Sequence, residues 1–259
     1  MASQAEDAER RARALNYLHD AARMVDITAA IIALDVQTVP ALAVIAGAER
    51  LAKAERVGVL AGSFNPPTLA HLALAESARA IAHLDVVLWV ISRVTVDKEQ
   101  VTRAPLPARL AALSALVAPR AHEAVASINR GLYAEQAVAL HAALPQLREL
   151  CFIVGFDKIV QIVDPRYYPD RTAALDLLFA QAELLVAPRD DEGAADLAML
   201  FARPENQPWA ACVQFVPLAP HWRTLSSSAV RQDIEAGRPI TDLVPPETLA
   251  LVDVGAYAA

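Results

Sequence analysis

Two short segments of the chain gather side chains that handle phosphate. The first reads Gly62-Ser63-Phe64-Asn65-Pro66-Pro67-Thr68-Leu69-Ala70-His71. Gly62 has no Cβ to hold a ligand away from the backbone, while Pro66 and Pro67 stiffen a turn and suit the first positions of a helix. Such a helix start offers unpaired amides and a partial positive charge to an anion, and Thr68 and His71, three residues apart, share one face of its first turn. The second segment reads Leu225-Ser226-Ser227-Ser228-Ala229-Val230-Arg231. Serine is a favoured helix cap, and the Ser228 to Arg231 spacing puts a hydroxyl and a guanidinium on one face of a helix start. Gly237 and Pro239 then end that helix. Each feature alone has an ordinary explanation as a turn or a cap. Two such starts in one chain make two anion sites.

Anion sites need elements to aim them. From about residue 56, short β-branched runs at 57–60, 86–91, 124–128, 150–154, 183–186 and 213–216 alternate with Ala- and Leu-rich helical stretches at 69–82, 107–117, 134–143, 172–180 and 194–201. This alternation predicts an α/β fold with a doubly wound, mainly parallel sheet covered by helices on both faces. Ligands in such sheets sit beyond the carboxyl ends of the strands, and the 57–60 run leads straight into Gly62. Up to about residue 54 apolar residues return at helical intervals, as in Leu15, Leu18, Ala22 and Val25, with Pro40 as a breaker. A helical N-terminal extension, 1–55, is therefore expected before an α/β domain, 56–259.

Composition excludes several classes of function. The chain has 259 residues, 55% of them hydrophobic, and at that length buries roughly 70–75% of its unfolded surface, so its core needs no metal or disulfide. Lys and Arg total 23 against 30 Asp and Glu, a net charge of −7, which leaves no basic field for nucleic acid. A small anion must be held by local donors working against that field. The apolar stretch 27–48 is interrupted by Asp35, Gln37 and Pro40 and is too broken to span a membrane. No secretion signal opens the chain, so a cytoplasmic location is expected. Cys151 and Cys212 have no metal-ligand or redox spacing and are expected as reduced core residues, and the remaining histidines suggest no metal site either.

The order strand, G-S-F-N-P-x-T-x-x-H, helix resembles the signature of the nucleotidyltransferase superfamily, in particular the nicotinamide and nicotinate mononucleotide adenylyltransferases. Thr68 and His71 fall on the two signature positions of the first turn. The 225–231 segment resembles that family's second signature, I-S-S-T-x-I-R, with Leu225, Ser228 and Val230 as departures, and Leu243-Val244-Pro245-Pro246 resembles its C-terminal tail. Between them Gly155-Phe156-Asp157 resembles the family's G-x-D element, whose carboxylate meets the adenosine ribose; an Asp capping the next helix is the alternative. Tyr168 stands where a family tryptophan stacks on the pyridine ring, and Arg189 resembles an arginine near the substrate, with a solvated surface arginine as the alternative. Lys98 falls where the family often has a phosphate-facing lysine, Arg109 at a helix start that carries a family arginine, and Asn129-Arg130-Gly131-Leu132-Tyr133 on a loop closer to S-Y-T in the family.

The resemblance, covering about residues 56–257, implies a Rossmann-like fold and adenylyl transfer from ATP to a pyridine mononucleotide with release of pyrophosphate, a step of NAD biosynthesis. It implies catalytic roles for His71, Thr68 and Arg231, with His71 on the α-phosphate. ATP and its phosphates would meet Gly62, Ser63, Phe64, Lys98, Gly155, Asp157, Ser227 and Ser228, and the acceptor would meet Asn65, Tyr168 and Arg189. Mg2+ would arrive with the triphosphate rather than in a protein cage. Two alternatives stand beside this reading: another phosphorylated acceptor or CTP in place of ATP, and a nucleotide-binding interaction module without catalysis, with residues 1–55 as its partner-binding arm. That arm can equally pack on the domain or build a homo-oligomer interface.

Overall fold

The computed structural model describes residues 4–94 and 104–257. Helix α1 (Gln4–His19) is followed by α2 (Ala21–Ala33), which Asp20 caps by accepting the amide of Arg23 at 3.1 Å. Strand β1 (Leu42–Ala46) and the short α3 (Ala48–Leu51) come next. The chain then alternates: β2 (Arg56–Ala61), α4 (Leu69–Ile81), β3 (Val86–Ser92), α5 (Leu106–Val117), β4 (Glu123–Ile128), α6 (Tyr133–Ala143) and β5 (Glu149–Gly155). Beyond the centre lie α7 (Phe156–Ile162), α8 (Arg171–Phe179), β6 (Glu183–Ala187), α9 (Ala194–Ala202), β7 (Val213–Phe215), α10 (Pro220–Arg223), α11 (Ser227–Glu235) and α12 (Pro246–Asp253).

Among the described residues one seven-stranded sheet forms, in the order β1-β4-β3-β2-β5-β6-β7. All neighbours are parallel except β1, which runs antiparallel to β4. From β2 the chain winds outward through β3 and β4, then returns to the centre at β5 and winds the other way. The reversal therefore lies between β2 and β5, where loops leaving adjacent strands part to opposite faces and open a crevice. Gly62, just after β2, and Gly155, the last residue of β5, stand at that opening.

The strands are apolar throughout because both faces are covered. Val57, Val59, Leu88, Val90, Phe152 and Val154 pack with Leu140 of α6, Leu175 of α8 and Leu197 of α9. On the other face Leu60, Val87, Trp89, Ile91 and Ile153 meet Ala75 and Ala78 of α4, Leu110 and Leu113 of α5, and Ile27 and Ile31 of α2. Helix α1 packs through Ala14 on Ala115 of α5 and Ala250 of α12. No helix among the described residues is long and apolar enough to cross a membrane.

One element departs from the expectation. Residues 42–46 belong to a stretch expected to be helical, yet they form the edge strand β1, with Leu42 opposite Ile128. The cause is local: the β-branched pair Val44-Ile45 follows Pro40 and is closed by Gly47, whose φ of +78° suits glycine. A Cβ on Gly47 would come within 2.9 Å of both Ala124 Cβ and Glu123 O, so the turn also needs the missing side chain. Both cysteines are free; Cys151 is buried, whereas Cys212 is only half-buried.

Candidate active site

The 62–71 turn is built from the inside out. Phe64 is buried with φ +43°, packing 5.1 Å from the Trp89 ring and edge-on to His71 at 5.3 Å. A Cβ on Gly62 would press on the Phe64 ring at 3.2 Å. Asn65 is buried as well, and its side-chain oxygen accepts the amide of Ala104 at 3.2 Å. Phe64 and Asn65, expected to touch nucleotide and acceptor, are both almost fully buried within the turn.

Thr68 is the N-cap of α4, and its side chain is fully buried. Its backbone N–H donates to His71 Nδ1 at 3.0 Å, and its Oγ1 lies 2.7 Å from the same nitrogen. An amide can only donate, so Nδ1 is an acceptor, and a neutral ring then carries its proton on Nε2. Burial first, and the charge of Arg189 second, lower the His71 pKa to about 4. At neutral pH the ring is therefore an uncharged Nε2–H donor with a fixed orientation.

The second segment meets this turn directly. Ser226 caps α11 by accepting the amide of Ala229 at 3.1 Å. Ser227 Oγ donates to Pro66 O at 2.8 Å, and Arg231 donates through Nη1 to Asn65 O at 2.8 Å and through Nη2 to Ser228 Oγ at 3.1 Å. The C-terminal tail joins them, with the Leu69 amide on Leu243 O at 3.0 Å and Thr248 Oγ1 on Pro67 O at 3.2 Å. Arg189, after β6, donates to Leu225 O at 3.5 Å. It stands within electrostatic reach of His71. Thr68, His71, Ser227, Ser228, Arg231 and Arg189 thus occupy one corner, a cluster of donors for an anion.

The start of the same turn opens on a cavity of about 580 Å³, a size typical of small-molecule sites, which none of these six residues lines. Gly62 and Ser63 line it from the β2 side, and Asp157 and Tyr168 from the β5 side. Gly155 leaves room for the carboxylate, since a Cβ there would sit 2.8 Å from Asp157 Oδ1. Lys98 lies outside the described residues.

Among the lining residues, Arg109, Leu132 and Tyr133 lie on segments whose likeness to the family is loose, and Ser92, Arg93, Gln136, Lys158 and Gln161 carried no signal in the sequence. Arg109 is buried and donates to Ala104 O at 2.8 Å and Ser63 O at 2.5 Å, bracing the turn while lining the cavity. Ser92 ends β3 and Arg93 follows it, Leu132, Tyr133 and Gln136 follow β4, and Lys158 and Gln161 lie on α7. Tyr133 is held protonated, its pKa raised by burial and then by Asp157. The general rule that ligands lie beyond the ends of parallel strands singles out the loops after β3 and β4, although neither carries a compact motif. No cluster of His, Cys, Asp or Glu suited to a metal occurs among the described residues.

The chain matches the model of the cytidylyltransferase-like family over residues 59–233. It is 31% identical over 205 residues to a Bordetella pertussis protein named "Probable nicotinate-nucleotide adenylyltransferase", covering 76% of this chain and 94% of that one. A Gloeobacter violaceus protein of the same name is 28% identical over 203 residues, covering 74% of this chain and 90% of its own. Among solved structures, the Plasmodium falciparum nicotinic acid mononucleotide adenylyltransferase complexed with APC shares the fold. Its TM-score is 0.56 at 13% identity, over 78% of this chain and 97% of that one.

Proposed function

Because the chain belongs to the cytidylyltransferase-like family, among the nicotinate-nucleotide adenylyltransferases, we propose that it transfers AMP from ATP to a pyridine mononucleotide and releases pyrophosphate. One observation carries this reading. The 62–71 turn and the 226–231 helix start, about 160 positions apart, are tied together by Ser227 on Pro66 O and Arg231 on Asn65 O, next to a cavity large enough for a nucleotide.

The acceptor phosphate attacks the α-phosphorus of ATP in line, one P–O bond forms as another breaks, and pyrophosphate leaves with the bonding electrons. The protein aligns the groups and stabilises charge on the phosphate oxygens, without a covalent intermediate. His71 donates Nε2–H to an α-phosphate oxygen, and the Thr68 amide on Nδ1 holds the ring in that tautomer. Ser227, Ser228 and Arg231 take the β- and γ-phosphates, where the planar guanidinium gives directed bonds. Arg189 adds positive charge to the phosphate corner. Asp157 accepts from the ribose hydroxyls of the adenosine, with Gly155 giving it space. Mg2+ would arrive with the triphosphate and neutralise part of its charge, with no protein cage needed, and the neutral and cationic donors of the corner would supply the rest.

The cavity takes the acceptor. Tyr168 and Tyr133 offer aromatic surface to a pyridine ring, while Arg109 and Lys158 supply positive charge that favours the nicotinate over the nicotinamide form. Residues 56–259 carry the chemistry on this reading. A panel of nicotinate mononucleotide, nicotinamide mononucleotide and pantetheine phosphate, each with ATP or CTP and pyrophosphate release as the readout, tests it. Fastest release is expected with ATP and nicotinate mononucleotide. Failure with both pyridine mononucleotides would reject the reading.

A further inference from the structure

The two loops that wall the acceptor cavity are fastened to the turn between α2 and β1, a part of the chain outside the family match. Asn129, the residue after β4, is fully buried. Its Nδ2 donates to Asp35 O at 2.7 Å and Val39 O at 2.9 Å, and its Oδ1 accepts the Ala41 amide at 2.8 Å. Arg130 donates through Nη1 to Val36 O at 2.8 Å and through Nη2 to Thr38 O. Arg93, after β3, donates through Nη1 to Ile31 O at 2.8 Å and to Leu34 O, at the carbonyl end of α2. A helix C-terminus is left with unpaired carbonyls and partial negative charge, so a guanidinium is a fitting partner there.

From these anchors the connection runs to the cavity. The Arg130 carbonyl accepts Ser92 Oγ at 2.7 Å and Gln136 Nε2 at 3.1 Å, and Gln136 Nε2 also reaches Gly131 O at 3.2 Å. Ser92, Gly131, Leu132, Tyr133 and Gln136 all line the cavity. The side chains of Arg93, Asn129 and Arg130 thus grip residues 31–41 on one side, while Ser92 and Gln136 hold the Arg130 carbonyl on the cavity side.

We infer that Arg130, together with Asn129 and Arg93, is a positioning residue for the acceptor: it locks the cavity loops to the α2–β1 turn, so that the N-terminal segment sets the shape of the acceptor site. This rests on reading the cavity as the acceptor site. Arg130 does not line the cavity and acts through the loop backbone, whereas Arg93 both fastens its loop and lines the cavity. Their side chains fix the backbone from which Tyr133 and Leu132 project, and pre-formed walls lower the ordering cost of binding.

The test compares full-length wild type with Arg130→Ala and Arg130→Lys. In Arg130→Ala the KM for the pyridine mononucleotide is expected to rise about tenfold or more while the KM for ATP changes little, since a small displacement is costly only to the group it positions. Amide hydrogen exchange at residues 129–136 should quicken in the same variant. Lysine, still able to donate to carbonyls, should restore part of both. Asn129→Ser, which removes the bonds to Asp35 and Val39 without touching the cavity lining, provides the same readouts if Arg130→Ala fails to fold. Unchanged exchange, or a rise of both KM values in step with a lower melting temperature, would overturn the positioning role. A wild-type chain inactive with both pyridine mononucleotides would instead overturn the acceptor reading on which the proposal stands.

Discussion

At the scale of single residues, chemistry depends on a proton held in the right place. A free histidine is half charged near pH 6.5, but His71 is lowered to about 4 by burial and Arg189, and its Nδ1 is occupied by the Thr68 amide. Protonating Nδ1 would break that bond. The rate should therefore show no His71 transition between pH 6 and 8, and lose activity through this group only as pH falls toward 4. A kcat profile with an inflection near 6.5 that vanishes in His71→Gln would contradict this assignment. His71→Ala should lower kcat by about two to three orders of magnitude, the usual size for loss of one preorganised donor to developing charge. Near-normal turnover in a folded variant would remove His71 from the reaction. The residue types and spacing of Thr68, His71, Ser227 and Arg231 were legible in the sequence because helix starts carry compact signals. The burial of Phe64 and Asn65 within the turn was not, since it depends on contacts with Trp89 and Ala104 from other parts of the chain.

At the scale of elements, parallel strands buried on both faces announce themselves as short apolar runs, and all six such runs are strands in the structure. Strand β1 was hidden because an Ala- and Leu-rich neighbourhood masks a five-residue edge strand, and its partner β4 lies some eighty residues further on. The loops lining the cavity after β3 and β4 were equally hard to read: their positions come from the sheet order, which no local pattern records. Strand β4 also carries a titration of its own. Glu123 opens it and accepts Trp89 Nε1–H at 3.1 Å; burial raises its pKa to about 7, against the opposing charge of Arg120. With a folded pKa above the unfolded one, the folded chain binds more protons between about pH 4.5 and 7, so this contribution is complete below pH 4.5 and is lost as pH rises through 7. Urea midpoints should fall across that window in the wild type and fall less in Glu123→Gln. An identical pH dependence in both proteins would contradict the raised pKa.

At the scale of the whole molecule, the ends of the chain close on the site. Helix α12 touches the Pro67 turn through Thr248, and α1 is pinned to α12 by Arg10, which forms paired bonds of 2.9 Å to both oxygens of the buried Glu247. A carboxylate so deeply buried is stable as an ion only with its partner. Arg10→Ala should cost about 3 kcal/mol or more by stranding that charge, read as a lower urea midpoint, while kcat of the folded protein stays close to wild type. A midpoint unchanged within error would mean that the pair does not hold the helices together. The net charge of −7 makes the anion corner a local exception, with Arg189 and Arg231 brought from distant parts of the chain to the 62–71 turn and its partner segment. Only the folded topology brings them together.

Attack at the α-phosphorus is the step on which these assignments converge, and following the fate of isotopic label in ATP tests it most directly. With ATP labelled in its α-phosphate and nicotinate mononucleotide as acceptor, the label should appear in the dinucleotide, and the released pyrophosphate should carry none. Label retained in ADP, with the γ-phosphate transferred or set free, would contradict the account.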